Sequence, residues 1–185
     1  MVEDGFMNIQ DADSDIIVDL KYATTDNFTG RKIYDFTTAI ARTGTAKKLG
    51  NAAKILKQQG YRIKVWDSYR PVGAQEKLFE VVSNPTWVAE PNPNYSHQKG
   101  VTFDLTLTDL DSKEVEMQSG FDDFTGKAVR SYPRTAAQEA NYQTLLSAMT
   151  KAGFVGYENE WWDYRDTEMD QYGPLAADPN DYAKS

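Results

Sequence analysis

Cysteine is absent from this chain of 185 residues. Its absence excludes disulfides, thiol nucleophiles and every zinc site built on thiolates, so any metal would be held by nitrogen and oxygen ligands. Histidine is almost as scarce, because His97 is the only one in the sequence. Any chemistry that this chain performs must therefore rest on carboxylates, one imidazole, and the other polar and cationic side chains.

Basic residues are also few, since 20 Lys and Arg stand against 28 Asp and Glu, for a formal net charge of -8. That charge repels phosphate backbones and no basic cluster interrupts it, so neither nucleic acid nor an anionic membrane is expected as a partner. No apolar run reaches the roughly 18 to 20 residues of a membrane span. The first residues also lack the basic and apolar regions of a secretory signal, which leads us to expect a cytoplasmic protein.

The chain is expected to form a single domain over residues 1–185, because no repeat, low-complexity tract or linker divides it and its 40% hydrophobic content can bury an ordinary core. The two central strands are not linked by a helix as a βαβ unit requires, which favours an α+β fold with a mainly antiparallel sheet flanked by helices. Predicted strands cover residues 15–22, 61–69, 101–108 and 154–164, and predicted helices cover residues 45–59 and 135–153, with another helix beginning near Ala74.

His97 and Asp104 form the first candidate pair for a metal site. If the seven residues from one to the other were extended, they would span about 23 Å at roughly 3.3 Å per residue, too far for both side chains to reach one ion. Gly100 between them supplies the backbone freedom for a turn. The alternative is an ordinary hydrogen-bonded pair, which is the commoner reason for a histidine near an aspartate.

Glu160 and Asp163 form the second candidate pair and flank two tryptophans. In one interpretation, they are the solvated ends of an aromatic core strand. In the other, one carboxylate binds a metal while Glu160 takes a proton from metal-bound water.

Arg70 closes an apolar segment, Trp66-Asp67-Ser68-Tyr69-Arg70-Pro71. It is either a surface ion pair, for which Asp67 is the nearest partner, or a functional group. A planar, permanently charged fork beside a metal-bound carbonyl is suited to stabilising the oxyanion of a tetrahedral intermediate.

Together these elements resemble the VanX-type D-alanyl-D-alanine dipeptidases of the hedgehog-like zinc D,D-peptidase group. The resemblance extends over nearly the whole chain and implies that fold, together with metal-dependent hydrolysis of the D-alanyl-D-alanine dipeptide in cell-wall precursor metabolism or glycopeptide resistance. The matching segments are Lys21-Tyr22-Ala23-Thr24 with 26–30, the arginine segment 66–71, Ser96-His97 through 104–107, Phe121-Asp122, and Gly153-Phe154 with Glu160-Trp161-Trp162.

The resemblance also implies a role for individual residues. Tyr95 occupies the position of a family serine two residues before the ligand histidine, which leaves open how the substrate carboxylate is held. The implied roles are His97 and Asp104 as metal ligands, Glu160 as general base and then acid, Arg70 as oxyanion stabiliser, Asp122 as partner of the dipeptide ammonium group, and Tyr22 and Tyr95 as substrate contacts.

Asp163 departs from the family pattern, because the family motif Glu-Trp-Trp-His ends in a third zinc ligand where this chain has aspartate. A carboxylate oxygen can coordinate zinc at about 2.0 to 2.2 Å, so Asp163 can complete a site for one zinc ion per chain. Two ligand carboxylates neutralise a divalent ion, whereas one leaves it a net positive charge. The sequence therefore predicts weaker zinc binding and a higher pKa for the metal-bound water. It also predicts a smaller preference for zinc over manganese or magnesium.

Two other functions remain open at this point. The chain could be a non-catalytic domain that binds D-Ala-terminated peptides after losing a zinc ligand. It could also be a related D,D- or L,D-carboxypeptidase or endolysin acting on larger muropeptides. The sequence likewise leaves the oligomeric state open, a homodimer included.

Overall fold

A computed structural model of the chain describes residues 2–86 and 88–184. The strands are β1 (Phe6–Asn8), β2 (Ile17–Val18), β3 (Ile40–Arg42), β4 (Tyr61–Asp67), β5 (Thr102–Asp109), β6 (Phe154–Gly156) and β7 (Asp163–Asp166). The helices are α1 (Ile9–Ala12), α2 (Thr43–Gln58), α3 (Val72–Val81), α4 (Ser96–Lys99) and α5 (Ala136–Ala152), with short 3-10 turns at Lys21–Ala23, Met169–Gln171 and Pro179–Tyr182.

The main sheet has five strands in the order β2-β4-β5-β7-β6, and β1 pairs with β3 in a small second sheet. Within the main sheet β4 with β5, β5 with β7 and β6 with β7 are antiparallel, while β2 with β4 is parallel. The α+β prediction with a mainly antiparallel sheet is therefore confirmed. The parallel pair was not predicted, and α2 lies in the crossover that it requires.

Two predicted strands differ from those in the structure. The strand expected at 15–22 is paired only at Ile17–Val18, because the chain then turns through Lys21–Ala23 and buries Tyr22 in the core. The strand expected at 154–164 is two strands, since a turn closes between them when the backbone N–H of Glu160 donates to the carbonyl of Tyr157 at 3.2 Å. Glu160 thus lies on a turn and Asp163 begins β7.

The two long helices agree with their sequence signals. Gly60, with φ of 87°, follows the end of α2 in the left-handed conformation that glycine commonly adopts after a helix. Thr135 caps α5 in a capping box with Gln138. The start of α2 has no side-chain cap, and the hydroxyl of Thr45 donates to Asp166 at 2.6 Å.

The core fills one face of the main sheet, where α2 and α5 pack. Residues paired across β4 and β5, such as Val65 with Leu105, point to that face, and the helices supply Leu49 and Leu145, all fully buried. The opposite face carries the polar side chains of β5, since successive residues of a strand alternate. No helix in the described part of the chain is long and apolar enough to cross a membrane.

Candidate functional site

Three aspartates form a row across the polar face of the sheet. Asp67 at the end of β4 pairs with Asp104 of β5, and Asp104 pairs in turn with Asp163 of β7. Their exposed fractions are 0%, 4% and 2%. Burying three carboxylates side by side is strongly unfavourable unless each has a hydrogen-bond donor or a cation, so the partners of each decide what the row can do.

Asp67 is saturated by its neighbours. Its Oδ1 accepts hydrogen bonds from the hydroxyl of Tyr34 at 2.6 Å and from the backbone N–H of Ser68 at 3.0 Å. Its Oδ2 accepts from both Nε and Nη2 of Arg70. Arg70 also donates through Nη1 to Gln75 at 2.7 Å. The ion pair between Arg70 and Asp67 therefore exists, but it is buried rather than on the surface, and it fixes the orientation of the guanidinium.

The imidazole of His97 lies between Asp104 and the backbone carbonyl of Ser68, which follows the end of β4. Gly100, with φ of 75°, ends α4 and provides the expected turn. The Nδ1 of His97 is 2.8 Å from the carbonyl oxygen of Ser68, and its Nε2 is 3.2 Å from Oδ2 of Asp104. Burial lowers the pKa of His97, but the charge and hydrogen bond of Asp104 together with the charge of Asp67 outweigh it and raise that pKa to about 9. Burial raises the pKa of Asp104 to about 6, against the opposing charge of His97.

Asp104 and Asp163 each keep one carboxylate oxygen without a hydrogen-bond donor among the described residues. The buried Oδ1 of Asp104 has no hydrogen bond to any described residue. Oδ1 of Asp163 accepts from the hydroxyl of Thr102 at 3.3 Å and from Nε of Arg165 at 3.2 Å, which leaves Oδ2 without a donor among residues 2–86 and 88–184. An orphaned buried carboxylate oxygen beside an imidazole nitrogen is a donor set that fits a divalent cation.

Glu160 extends this set from the turn before β7. The residue is half-buried, and its side-chain carboxyl has no hydrogen-bond partner within the described ranges. Burial raises the pKa of its carboxyl well above the usual range, and the charges of Asp104 and Asp163 raise it further. Ligand atoms of Asp104, Glu160 and Asp163 lie within 4.8 Å of one another, as do those of Asp67, His97 and Asp104. Asp104 is thus common to two groups, one with His97 and the other with Asp163.

Asp122 and Tyr22 form a second polar pair in the same region. Asp122 has a positive φ of 52°, and the hydroxyl of Tyr22 donates to its Oδ2. Burial raises the pKa of the Asp122 carboxyl to about 7, although the hydrogen bond from Tyr22 lowers it. The guanidinium of Arg70 lies 5.3 Å from the ring centroid of Tyr22 and so connects this pair to the aspartate row.

A cavity of about 720 Å³ brings these groups together. Tyr95 is 45% exposed at the start of α4, and its side chain also faces this cavity. All eight residues singled out from the sequence contribute to its wall: Tyr22, Arg70, Tyr95, His97, Asp104, Asp122, Glu160 and Asp163.

Comparison with known proteins identifies the family of the chain that forms this cavity. Residues 2–178 match the model of the D-ala-D-ala dipeptidase family. The chain belongs to that family. The predictions of an enzyme and of D-alanyl-D-alanine hydrolysis in cell-wall metabolism are confirmed by this membership and by the relatives that share it.

Curated relatives carry the same description at moderate identity. The D-alanyl-D-alanine dipeptidase of Escherichia coli K12 is 32% identical over 165 residues, which cover 89% of this chain and 85% of the relative. That of Enterococcus faecium is 30% identical over 191 residues, covering 88% and 92%. Among solved structures, VanYB in complex with D-alanine-D-alanine has a TM-score of 0.46 at 17% identity, covering 72% of this chain and 75% of its own. That likeness is too distant to bear on the chemistry here.

Several residues around the site were not given a functional role from the sequence. Asp67 was named only as a surface partner of Arg70, although it stands in the arginine segment. Gln75 and Thr102 gave no recognisable signal. Arg165 could have been found from strand periodicity, because a residue two positions after Asp163 lies on the same face of a strand. That inference requires knowing that β7 begins at Asp163, and the sequence does not show where this strand begins.

Proposed function

We propose that this cavity is the active site at which the chain hydrolyses D-alanyl-D-alanine, with one zinc ion as cofactor. The observation that carries the proposal is the buried Oδ1 of Asp104, which has no partner among the described residues. Asp104 shares one group of converging ligand atoms with His97 and another with Glu160 and Asp163. A buried acceptor of this kind is rare without a functional reason. Family membership supplies the reaction that such a centre serves.

His97, Asp104 and Asp163 are the proposed ligands. His97 is oriented by the carbonyl of Ser68 on Nδ1, so its Nε2 is the nitrogen directed at Asp104. Asp67 is excluded from this set because both of its oxygens already accept hydrogen bonds. When bound, a zinc ion polarises the scissile carbonyl and lowers the pKa of a coordinated water.

Glu160 is the proposed proton carrier. Its carboxyl has no competing hydrogen bond among the described residues, so it is available to accept a proton and later release it to the leaving amine. Its place on the turn before Asp163 puts it beside the proposed ligands.

Arg70 is the proposed stabiliser of the developing oxyanion. Its guanidinium is held by Asp67, Tyr34 and Gln75, so the charge is already oriented before substrate arrives. A preoriented charge costs no reorganisation during the reaction and is correspondingly effective.

Asp122 is the proposed partner of the free ammonium group of the dipeptide. An acylated substrate would leave this half-buried carboxylate without its cation, which disfavours longer peptides. The selection of a dipeptide over a muropeptide thus rests on one half-buried charge.

The experiment that tests the function is release of D-alanine by purified protein loaded with zinc, manganese or cobalt. D-alanyl-D-alanine and a D-Ala-terminated pentapeptide are compared side by side. Dipeptide hydrolysis alone is the expected result. Binding of the dipeptide without release would identify a non-catalytic binder, and faster release from the pentapeptide would identify a carboxypeptidase.

Location in the cytoplasm, a single domain and a homodimer all stay predictions.

A further inference from the structure

The cavity has an excess of acidic groups for a substrate that carries charges of both signs. Asp104, Asp122, Glu160 and Asp163 all line it. A free dipeptide brings an ammonium group, which Asp122 can meet, and also a terminal carboxylate, which is strongly disfavoured in a partly buried site without a donor. Tyr95 offers a phenol that is 45% exposed and has no side-chain hydrogen bond to the described residues.

Two of the permanent cations in the described cavity wall are already engaged. Lys99 is almost fully buried, and its Nζ donates to the carbonyls of Met169 at 2.7 Å and Tyr172 at 3.2 Å. All three guanidinium nitrogens of Arg70 donate to side chains of neighbouring residues. The third cation in the described wall is Arg165.

Arg165 is fixed in place but keeps most of its donors. It lies on β7 opposite Thr102, on the same sheet face as Asp163. Its Nε donates to Oδ1 of Asp163 at 3.2 Å, and its guanidinium lies 4.2 Å from the ring centroid of Tyr157. Neither Nη nitrogen has a partner within 2–86 or 88–184. Two adjacent N–H groups on a planar guanidinium match the two oxygens of a carboxylate.

We propose that Arg165 binds the terminal carboxylate of the dipeptide and selects substrates that end in a free acid. This inference rests on the function proposed above. Asp163 orients the arginine through Nε, and the same aspartate lies within 4.8 Å of Asp104 and Glu160. The carboxylate is thereby held next to the reacting groups, while Asp122 takes the ammonium end. Arg165 is a specificity residue that contacts substrate, and takes no part in bond breaking.

The test compares D-alanyl-D-alanine with its C-terminal amide, D-alanyl-D-alaninamide, on the wild type and on Arg165→Met. We expect the substitution to raise KM for the acid on the order of 10-fold to 100-fold, as loss of a charge-assisted hydrogen bond would, and to change KM for the amide by less than about 3-fold. Arg165→Lys keeps the charge but loses the fork, and we expect an intermediate KM. Arg31→Gln, at an exposed arginine outside the cavity wall, is the matched control.

An equal loss with both substrates would show that Arg165 only supports the metal centre through Asp163, and would overturn the proposal. Equal KM values of the wild type for the acid and the amide would also overturn the proposal. Calorimetric binding of the same two ligands separates this inference from the activity. If the wild type hydrolyses neither, binding that prefers the acid and loses that preference in Arg165→Met still supports the carboxylate site. If Arg165→Met hydrolyses the dipeptide and still prefers the acid over the amide as the wild type does, Arg165 does not bind the carboxylate. The proposed dipeptidase function would be unaffected by that result.

Discussion

Asp104 and Asp163 face each other in register across β5 and β7, and both are almost fully buried. Two carboxylates in this arrangement repel, and the repulsion falls only if a cation or a proton lies between them. Oδ1 of Asp104 has no such partner among the described residues. We propose that a metal ion completes this pair, and the first predictions concern how that ion is held.

Asp104→Asn should weaken zinc binding on the order of 100-fold or more, because it removes the ligand that both candidate groups share. Competition with a zinc-sensitive chelator measures the affinity. Asp111→Asn, an exposed aspartate just beyond the same strand, is the control and should bind as the wild type does. Unchanged affinity in Asp104→Asn would remove Asp104 from the ligand set.

Asp163→His should bind zinc more tightly than the wild type, because a neutral imidazole would replace a charged carboxylate and complete the Glu-Trp-Trp-His motif that the resemblance implies. Arg165 already offsets part of the Asp163 charge, so we expect a gain smaller than the ligand change alone would give. Zinc titration of the two apoproteins measures the difference. Equal affinities would mean that the charge of Asp163 does not weaken the site.

Glu160→Gln should lower the rate of D-alanine release by about 10²-fold to 10⁴-fold while the protein keeps its zinc, because the amide cannot accept a proton. Turnover and bound zinc are measured on the same sample. Glu158→Gln, two residues earlier on the same turn and exposed, is the control. Full activity in Glu160→Gln would assign the proton transfer to another group.

Arg70→Lys should lower kcat more than it raises KM, because a point charge cannot reproduce the guanidinium held by Asp67 and Gln75. We expect a loss in kcat on the order of 10²-fold. Lysine keeps a cation beside the buried Asp67, so folding should survive, which circular dichroism checks. A variant with normal kcat and raised KM would place Arg70 in substrate binding alone.

The pH dependence of kcat/KM should report Asp122. Burial raises its pKa to about 7, and only the ionised carboxylate attracts the substrate ammonium, so kcat/KM should rise as pH rises through that value. The hydrogen bond from Tyr22 lowers the Asp122 pKa, so Tyr22→Phe should move the rise to higher pH. Asp122→Asn should abolish the rise and increase KM. A rise that persists in Asp122→Asn belongs to a different group.

Much of the site was predictable because its residues stand in short segments with distinct chemistry. His97, the glycine turn at Gly100 and Asp104 could be joined by reasoning about chain reach alone, and the structure has that turn. The strand prediction across 154–164 failed because aromatic content signals a strand but does not show where the chain reverses. That reversal decides that Glu160 lies on a turn while Asp163 and Arg165 share one face of β7.

The sequence by itself determined the family, the reaction and the limited choice of ligands, because one histidine, no cysteine and the segment Glu160-Trp161-Trp162-Asp163 can be read directly. Only the tertiary structure decided which oxygens of the aspartate row are occupied. Asp67 is saturated by Tyr34 and Arg70, whereas Asp104 keeps a buried oxygen without a partner. The hydrogen bond from Tyr34 joins Asp67 to a residue 33 positions away, and a contact of that range leaves no periodic signal in a sequence.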